Sequence, residues 1–181
     1  MPHPKQHYYF DTNALWKYYR LSQTYPVEND VPPLNIEEKK EKGCLVIRRL
    51  VSNSLTSVLV SQLTILEMIG RLMRSRRQRH LKQKGLNKVV KRLRQDICLE
   101  EKAHHFRLCS ISADDFRLAE SILLQYAYHF SISSYDALHL AIVQKLHSYD
   151  LTVTMVTSDN SLKRVCEKTG VAFYDPEQAY I

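Results

Sequence analysis

Hydrophobic positions along the chain follow two patterns that alternate. Short runs rich in aromatic or β-branched residues, such as "TSVLVSQLT" at 56–64, predict β-strands. Longer segments with apolar residues three and four positions apart predict helices. In the segment 112–130, for example, the apolar positions are 116, 119, 122, 123, 126, 127 and 130. The chain is therefore predicted to alternate strands with amphipathic helices.

The predicted elements follow one another without an internal repeat. Strands are expected at 8–11, 56–64, 105–111, 151–159 and 171–176. Helices are expected at 13–21, 37–53, 65–82, 86–104, 112–130, 133–149 and 160–170. Gly85 is predicted to end the third helix, and Gly170 the last one. Residues 22–36 hold three prolines and predict a loop.

Strands that alternate with helices are typical of a mostly parallel sheet with helices on both faces. We therefore expect a three-layer α/β/α fold. The length of 181 residues favours one domain, 1–181, and 44% hydrophobic residues are enough for a real core. Ligands of such sheets bind beyond the carboxyl ends of the strands. The strand-to-helix junctions are therefore the places where functional residues are expected.

Composition narrows the class of protein further. Gly and Pro total only ten, so the chain is neither fibrous nor broadly disordered. No window holds 18 consecutive apolar residues, and "MPHPKQHYYF" lacks the apolar core of a signal peptide. We expect no membrane span and a cytoplasmic location. The four cysteines form no Cys-x-x-Cys pair and are interpreted as reduced residues in ordinary packing positions.

Four acidic residues stand at predicted strand-to-helix junctions. Asp11 ends the first strand in "YYFD", and Asp159 ends the last strong strand in "MVTSD". Glu67 lies one turn into the helix after the second strand, and Asp136 lies in the first turn of its own helix. If the sheet is built as predicted, the four carboxylates are expected at the same edge of it.

Each acid also has an ordinary interpretation at a helix N-terminus. Asp11 and Asp159 fit the N-cap position, where a carboxylate accepts hydrogen bonds from the first backbone amides. Thr64 with Glu67, and Ser133 with Asp136, have the spacing of capping boxes. Capping explains one acid taken alone better than it explains all four together. Both interpretations stay open at this point.

Four gathered carboxylates need a cation, because like charges raise one another's pKa values. Ligand sets made only of oxygen select hard cations, so Mg²⁺ or Mn²⁺ is the predicted cofactor. Such a cation can activate water and stabilise the charge of a phosphate. The chemistry that this indicates is hydrolysis of a phosphodiester.

The same four junctions resemble a known family. "FDTNAL", "SQLTILE", "YDALHLAIV" and "TSDNSL" look like the four acidic motifs of the PIN-domain ribonucleases, and the order matches as well. The resemblance runs from about Tyr8 to Tyr174, and the nearest branch is the VapC-like toxins of type II toxin–antitoxin pairs. This chain is longer than the compact toxins, with the extra length at 22–36 and in the basic middle section.

The resemblance carries specific expectations about the site and the partners. It assigns Asp11, Glu67, Asp136 and Asp159 to a metal-binding pocket that uses Mg²⁺ or Mn²⁺ to hydrolyse RNA. It assigns a supporting role, orienting carboxylates or metal-bound waters, to the polar residues Thr12, Asn13, Thr157 and Ser158. It also implies a homodimer and a cognate antitoxin protein whose peptide reaches toward the pocket.

Basic charge is concentrated in one segment. Residues 71–95 contain eleven of the 26 Lys and Arg residues and no acid, so the rest of the chain has 15 basic residues against 19 acidic ones. Three interpretations remain: contact with an RNA backbone, a solvated helix pair, or a surface for an acidic antitoxin. The residues predicted to contact RNA are Arg74, Arg76, Arg77, Arg79, Lys82 and Lys84.

Apolar and aromatic residues in and around these segments are expected in the core. In the basic segment these are Leu72, Leu81, Leu86, Val89, Val90 and Leu93. The aromatic residues expected in the core are Trp16, Tyr18, Tyr19, Tyr126, Tyr128 and Phe130.

Two other classes of function compete with the ribonuclease. An aspartyl-nucleophile phosphatase also begins with an Asp after the first strand, but it needs a second acid where this chain has Asn13. A non-catalytic RNA- or protein-binding module with a PIN-like shape is the second rival, and four intact acids argue against it. The prediction from the sequence is therefore a metal-dependent endoribonuclease.

Overall fold

Strands and helices alternate along the chain, as the hydrophobic pattern predicts. The computed structural model describes residues 5–24, 38–97 and 105–178, and of residues 21–24 and 38–42 it describes the backbone alone. The described strands are β1 (Gln6–Phe10), β2 (Thr56–Ser61), β3 (Phe106–Cys109), β4 (Val153–Val156) and β5 (Phe173–Tyr174). The described helices are α1 (Thr12–Thr24), α2 (Glu38–Ser52), α3 (Gln62–Arg77), α4 (Gln83–Ile97), α5 (Ala113–Phe130), α6 (Ser134–Ser148) and α7 (Asn160–Thr169).

The five described strands form one parallel sheet in the order β3-β2-β1-β4-β5. β1 lies at the centre, with Tyr9 opposite Leu59 of β2 on one side and Met155 of β4 on the other. The chain runs outward from β1 through β2 to β3, and then returns to build β4 and β5 on the other side. The crevice beyond the carboxyl ends of β1 and β4 is therefore the topological switch point, where such sheets bind ligands.

Successive strand residues face opposite sides of the sheet, and helices cover both sides. Tyr9 and Met155 pack in a core with α5, α6 and α7. Their chain neighbours Phe10 and Val156 pack in a second core with α1, α3 and α4. This period-two alternation explains why the central strands are continuous apolar runs in the sequence. The prediction of a three-layer α/β/α fold with a mostly parallel sheet is confirmed.

The boundary between α3 and α4 differs from the prediction. Helix α3 ends at Arg77, the turn contains Arg79 with a φ of 61°, and Gly85 lies inside the first turn of α4. A Cβ atom at Gly85 would lie 2.9 Å from Leu81 Cδ1. Gly85 therefore makes room for the buried Leu81 and does not end the helix. The prediction that Gly85 separates the two helices was wrong.

Smaller differences concern segment ends and exposure. α1 continues to Thr24, so the first three residues of the predicted loop 22–36 are helical, and residues 25–36 lie outside the described residues. The predicted strand at 56–64 ends at Ser61, where α3 begins. Among the described residues, none of the helices is both long and apolar enough to cross a membrane.

Most of the residues that were predicted for the core on α1 and in the basic segment 71–95 are buried. Tyr18, Tyr19 and five of the six apolar residues predicted for 71–95 are buried, while Val90 packs against the core half-buried. Trp16 is half-buried as well. Tyr128 is 93% exposed, so its assignment to the core was wrong, and Tyr126 and Phe130 are only partly buried.

Candidate functional site at the carboxyl edge of the sheet

Asp11 stands directly after β1, at the switch point of the sheet. Its side chain caps helix α1: Oδ1 accepts a hydrogen bond from the backbone N–H of Ala14 at 2.7 Å, and Thr157 also donates to the carboxylate. The residue is only 3% exposed. Burial raises the pKa of this carboxyl, and the two hydrogen bonds do not offset the effect. A buried carboxylate with a raised pKa is a candidate for binding a cation.

Glu67 reaches the same edge from the second turn of α3. The N-cap of α3 is Ser61, which forms a capping box with Thr64. The predicted capping box between Thr64 and Glu67 was therefore wrong, because the helix begins three residues earlier than expected. Glu67 is released from any role at the helix end, and its side chain is available to the site.

Two side chains hold the Glu67 carboxylate. Thr12 Oγ1 donates to Glu67 Oε2 at 2.6 Å, and His139 Nε2 lies 2.8 Å from the same oxygen. Burial acts to raise the pKa of Glu67, but the bonds from His139 and Thr12 outweigh it and the pKa lies below its ordinary value. Because Thr12 follows Asp11 directly, its bond to Glu67 links the two acidic residues across the edge of the sheet.

Asp159 lies at the neighbouring junction after β4. It is the N-cap of α7, with Oδ1 accepting from the backbone N–H of Leu162 at 2.9 Å. The preceding residue, Ser158, accepts a hydrogen bond from Lys17 Nζ at 3.2 Å. Asp159 and Ser158 line a cleft of about 300 Å³ together with Asn13, Lys17 and other residues of α1. Asp159 is thus placed on the wall of a cleft that it shares with Asn13, two residues after Asp11.

Asp136 has a different environment from the other three acids. Its Oδ2 accepts hydrogen bonds from the backbone N–H and the hydroxyl of Ser133, at 2.8 and 2.7 Å. Ser133 and Asp136 therefore form the capping box that the sequence predicts for α6. Among the described residues, no hydrogen bond joins Asp136 to Asp11, Glu67 or Asp159.

A second and larger cleft connects the acids with the basic segment. It has a volume of about 640 Å³, and its walls include Glu67, Arg71, Arg74 and Tyr135. Arg71 Nη1 donates to Asn13 Oδ1 at 2.7 Å, and its guanidinium lies 4.7 Å from the centre of the Trp16 ring. Arg71 belongs to both clefts, so it is the point where the basic segment meets the acidic edge of the sheet.

Most of the basic residues between Arg71 and Gln95 face outward. Of the six residues predicted to contact RNA, five are exposed and Arg76 is half-buried. Within the described parts of the chain, none of the six takes part in an ion pair. The apolar residues of the same segment are packed inward. Both halves of the predicted arrangement, an apolar inner face and a basic outer face, are therefore present in α3 and α4.

The donor set at the sheet edge suits the divalent cation that the sequence predicts. No group of three His, Cys, Asp or Glu side chains able to hold a metal ion is found within residues 5–24, 38–97 and 105–178. Mg²⁺ needs fewer protein ligands than that, because it keeps several waters and is usually bound through one or two carboxylates. Asp11 and Glu67 supply two carboxylates at one edge, and the adjacent clefts leave room for water and substrate.

Comparison with known proteins defines the family. The profile of the PIN domain matches residues 34–168. The chain therefore belongs to the PIN domain family, as the four acidic motifs predict.

Solved structures share the fold. One is FitAcB from Neisseria gonorrhoeae, with a TM-score of 0.56 and 19% identity over 94% of this chain and 99% of that one. Another is VapBC2 from Rickettsia felis, bound to a DNA fragment from their promoter, with a TM-score of 0.54 and 12% identity over 94% and 98% of the two chains. At such identities the likeness concerns the fold alone. No curated protein matches the sequence.

Three residues at the site were missed in the sequence. His139, Lys17 and Arg71 contact Glu67, Ser158 and Asn13 respectively. His139 had a detectable signal, since it is the polar residue within the apolar run "ALHLAIV", where a buried imidazole needs partners. No comparable signal marks Lys17 and Arg71 in the sequence, because a basic residue on a helix is most often solvated.

Proposed function

We propose that this PIN domain is a metal-dependent endoribonuclease that hydrolyses RNA phosphodiester bonds. The observation that carries the proposal is the buried Asp11 carboxylate at the switch point of the sheet, linked through Thr12 to Glu67. A desolvated carboxylate beside a second one is costly for folding and becomes favourable when a cation binds. Family membership supports the same conclusion, since PIN domains are generally nucleases.

The proposed ligands of Mg²⁺ or Mn²⁺ are Asp11 and Glu67, with Asp159 and Asp136 completing the acidic pocket around one or two ions. The chemistry that such an ion supplies is activation of water and stabilisation of charge on a phosphate. Thr157 and Thr12 orient the carboxylates of Asp11 and Glu67 by donating hydrogen bonds to them. Asn13 and Ser158 act one step further out, by holding Arg71 and Lys17 at the rim.

The test is RNA cleavage with Mg²⁺ or Mn²⁺ by the parent and by Asp11→Asn, beside calorimetric titration of Mn²⁺ into both. We expect saturable Mn²⁺ binding in the parent and a loss of cleavage of about 100-fold or more in the variant. Asp114→Asn is the matched control, because Asp114 is an exposed acid that pairs with Arg117 on the surface of α5. Equal cleavage by the parent and Asp11→Asn would show that the nuclease activity belongs to a contaminant or to another site.

The exposed basic residues of 71–95 are proposed to hold the RNA backbone. Arg74 lines the cleft beside Glu67, so RNA that follows the basic face leads to the acidic edge. Replacing Arg74, Arg77 and Lys82 by Gln is expected to weaken RNA binding and to lower the slope of log K against log salt by about one for each phosphate that is no longer neutralised. An unchanged slope would mean that these residues are only solvated, or that they face a protein partner.

A role as the toxin of a toxin–antitoxin pair is a second proposal at the cellular level. It is supported by the fold shared with FitAcB and with VapBC2. The partners it adds are a cognate antitoxin and a second copy of the chain. Induced expression of the parent in a bacterial host is expected to arrest growth, and Asp11→Asn is expected to relieve the arrest. If the host grows normally while the parent protein is soluble and active as a nuclease, the toxin proposal is wrong and a role in RNA processing is favoured.

A further inference from the structure

A buried hydrogen-bonded chain runs from the core to the candidate site. The Tyr9 hydroxyl lies 2.8 Å from Ser61 Oγ and 2.7 Å from His139 Nδ1, within hydrogen-bond distance of both. The opposite ring nitrogen of His139, Nε2, lies 2.8 Å from Glu67 Oε2. Tyr9 is fully buried and His139 is 2% exposed. Both nitrogens of the imidazole are therefore used, and the ring has one orientation in which both bonds form.

The direction of the outer bond follows from the chemistry of the carboxylate. An ionised carboxylate has no proton to give, so Nε2–H of His139 donates to Glu67. Thr12 Oγ1 donates to the same oxygen, Oε2. Within the described residues, Glu67 Oε1 has no hydrogen-bond partner in the protein. The two donors thus fix the carboxylate by one oxygen and leave the other for a ligand.

We propose that His139 is a positioning residue that fixes the Glu67 carboxylate for divalent-cation binding, and that Tyr9 holds the imidazole in place for this task. The inference rests on the proposed function, because it deepens the role of the same site. Each nitrogen of a buried imidazole needs a partner, and for Nε2 of His139 that partner is a carboxylate at the wall of an open cleft. Partners that orient metal ligands in this way affect both metal affinity and activity.

Two substitutions at one position separate positioning from packing. In His139→Gln the amide nitrogen can take the place of Nε2 and still donate to Glu67, while the link to Tyr9 is lost. In His139→Asn the shorter amide can take the place of Nδ1 and keep the link to Tyr9, while the donor to Glu67 is lost. Each variant breaks one buried hydrogen bond, so we expect similar losses of melting temperature.

The measurement is calorimetric titration of Mn²⁺ into the metal-free parent and variants, with RNA cleavage as the second readout. We expect His139→Asn to bind Mn²⁺ about 10- to 100-fold more weakly than the parent. His139→Gln is expected to stay much closer to the parent in Mn²⁺ affinity. Tyr9→Phe removes the hydrogen bond to the His139 imidazole but leaves no large cavity in the core. Its Mn²⁺ affinity is expected to lie between those of the two His139 variants. Cleavage rates should follow the same order.

His147→Gln is the matched control on the same helix. His147 Nε2 bonds the backbone carbonyl of Val153 at 2.8 Å, away from the acids, so this variant is expected to keep the Mn²⁺ affinity of the parent. Equal Mn²⁺ affinities for His139→Asn, His139→Gln and the parent would overturn the positioning role. The same conclusion would follow if His139→Asn and His139→Gln lost Mn²⁺ affinity equally, in proportion to their loss of melting temperature.

Failure of the inference and failure of the proposed function give different results. If the parent binds Mn²⁺ and cleaves RNA, both activities depend on Asp11, and His139→Asn matches the parent, only the inference fails. If the parent neither binds Mn²⁺ nor cleaves RNA, the proposed function fails and takes the inference with it.

Discussion

Helices α1 and α5 each have a buried aspartate at the N-terminus, before the first residue of α1 and at the third residue of α5, and the two acids differ in what surrounds them. Asp11 Oδ1 accepts from the backbone N–H of Ala14, and Asp115 Oδ2 accepts from that of Ser112 at 2.6 Å. Their exposed fractions are 3% and 1%. Asp115 has Lys145 Nζ at 2.5 Å, whereas among the described residues Asp11 has no ion pair.

The different partners move the two pKa values in opposite directions. Burial raises the pKa of both carboxyls. For Asp115 the bonds from Lys145 and Ser112 outweigh burial, and the pKa lies below its ordinary value. For Asp11 burial prevails and the pKa lies above it. An acid whose buried charge is matched by a lysine is explained by stability. An acid whose charge is unmatched costs stability, which is typical of functional sites.

The largest effect is expected when Lys145, the lysine that pairs with Asp115, is removed. Lys145→Met leaves Asp115 buried without its cation, so we expect the free energy of unfolding to fall by about 2 kcal/mol. The measurement is urea unfolding at neutral pH. Lys168→Met, an exposed lysine in the last turn of α7, is the control and should change stability by less than about 0.5 kcal/mol. Equal effects of the two variants would mean that the ion pair contributes little to stability.

The pH dependence of stability is a second test of the difference between the paired Asp115 and Asp11, which has no ion pair among the described residues. The folded-state pKa of Asp115 lies below its ordinary value of 3.8. The stability that the ion pair contributes is therefore present above that value and is lost as the pH falls through the folded-state pKa. We expect the difference between the parent and Lys145→Met to hold from pH 7 to about pH 5 and to shrink by about 1 kcal/mol in more acidic solution. A difference that grows on acidification would contradict the assignment.

The smallest expected change in the free energy of unfolding is that of an Asp11 substitution, and it is an increase. Asn at this position can still accept from Ala14 N–H but carries no buried charge. We expect Asp11→Asn to raise the free energy of unfolding by up to about 1 kcal/mol in chelator-treated buffer. With Mg²⁺ or Mn²⁺ present, the same variant is expected to lose cleavage by about 100-fold or more. Asp114→Asn, at an exposed site, should change neither property. A fall in stability of about 1 kcal/mol or more would return Asp11 to the role of a simple helix cap.

Much of the fold could be predicted because it depends on local pattern. Within the described residues, the hydrophobic period and the turn residues located the five strands and the seven helices, and their alternation implied the parallel sheet. Errors fell where packing overrides local preference. Gly85 accommodates Leu81 instead of ending a helix, and Tyr128 is exposed although it follows the apolar pattern of α5.

The sequence by itself determined the candidate acids, the family and the concentration of basic charge in 71–95, because each depends on residue type and order along the chain. Only the tertiary structure decided how those residues are partnered. Ser112–Asp115 and Ser133–Asp136 have the same spacing, yet Lys145 joins the first pair and no cation in the described residues joins the second. Likewise, His139 is 72 residues from Glu67 and 130 from Tyr9, and the sheet and α6 bring them together. Such contacts depend on packing across the fold, which spacing in a sequence does not specify.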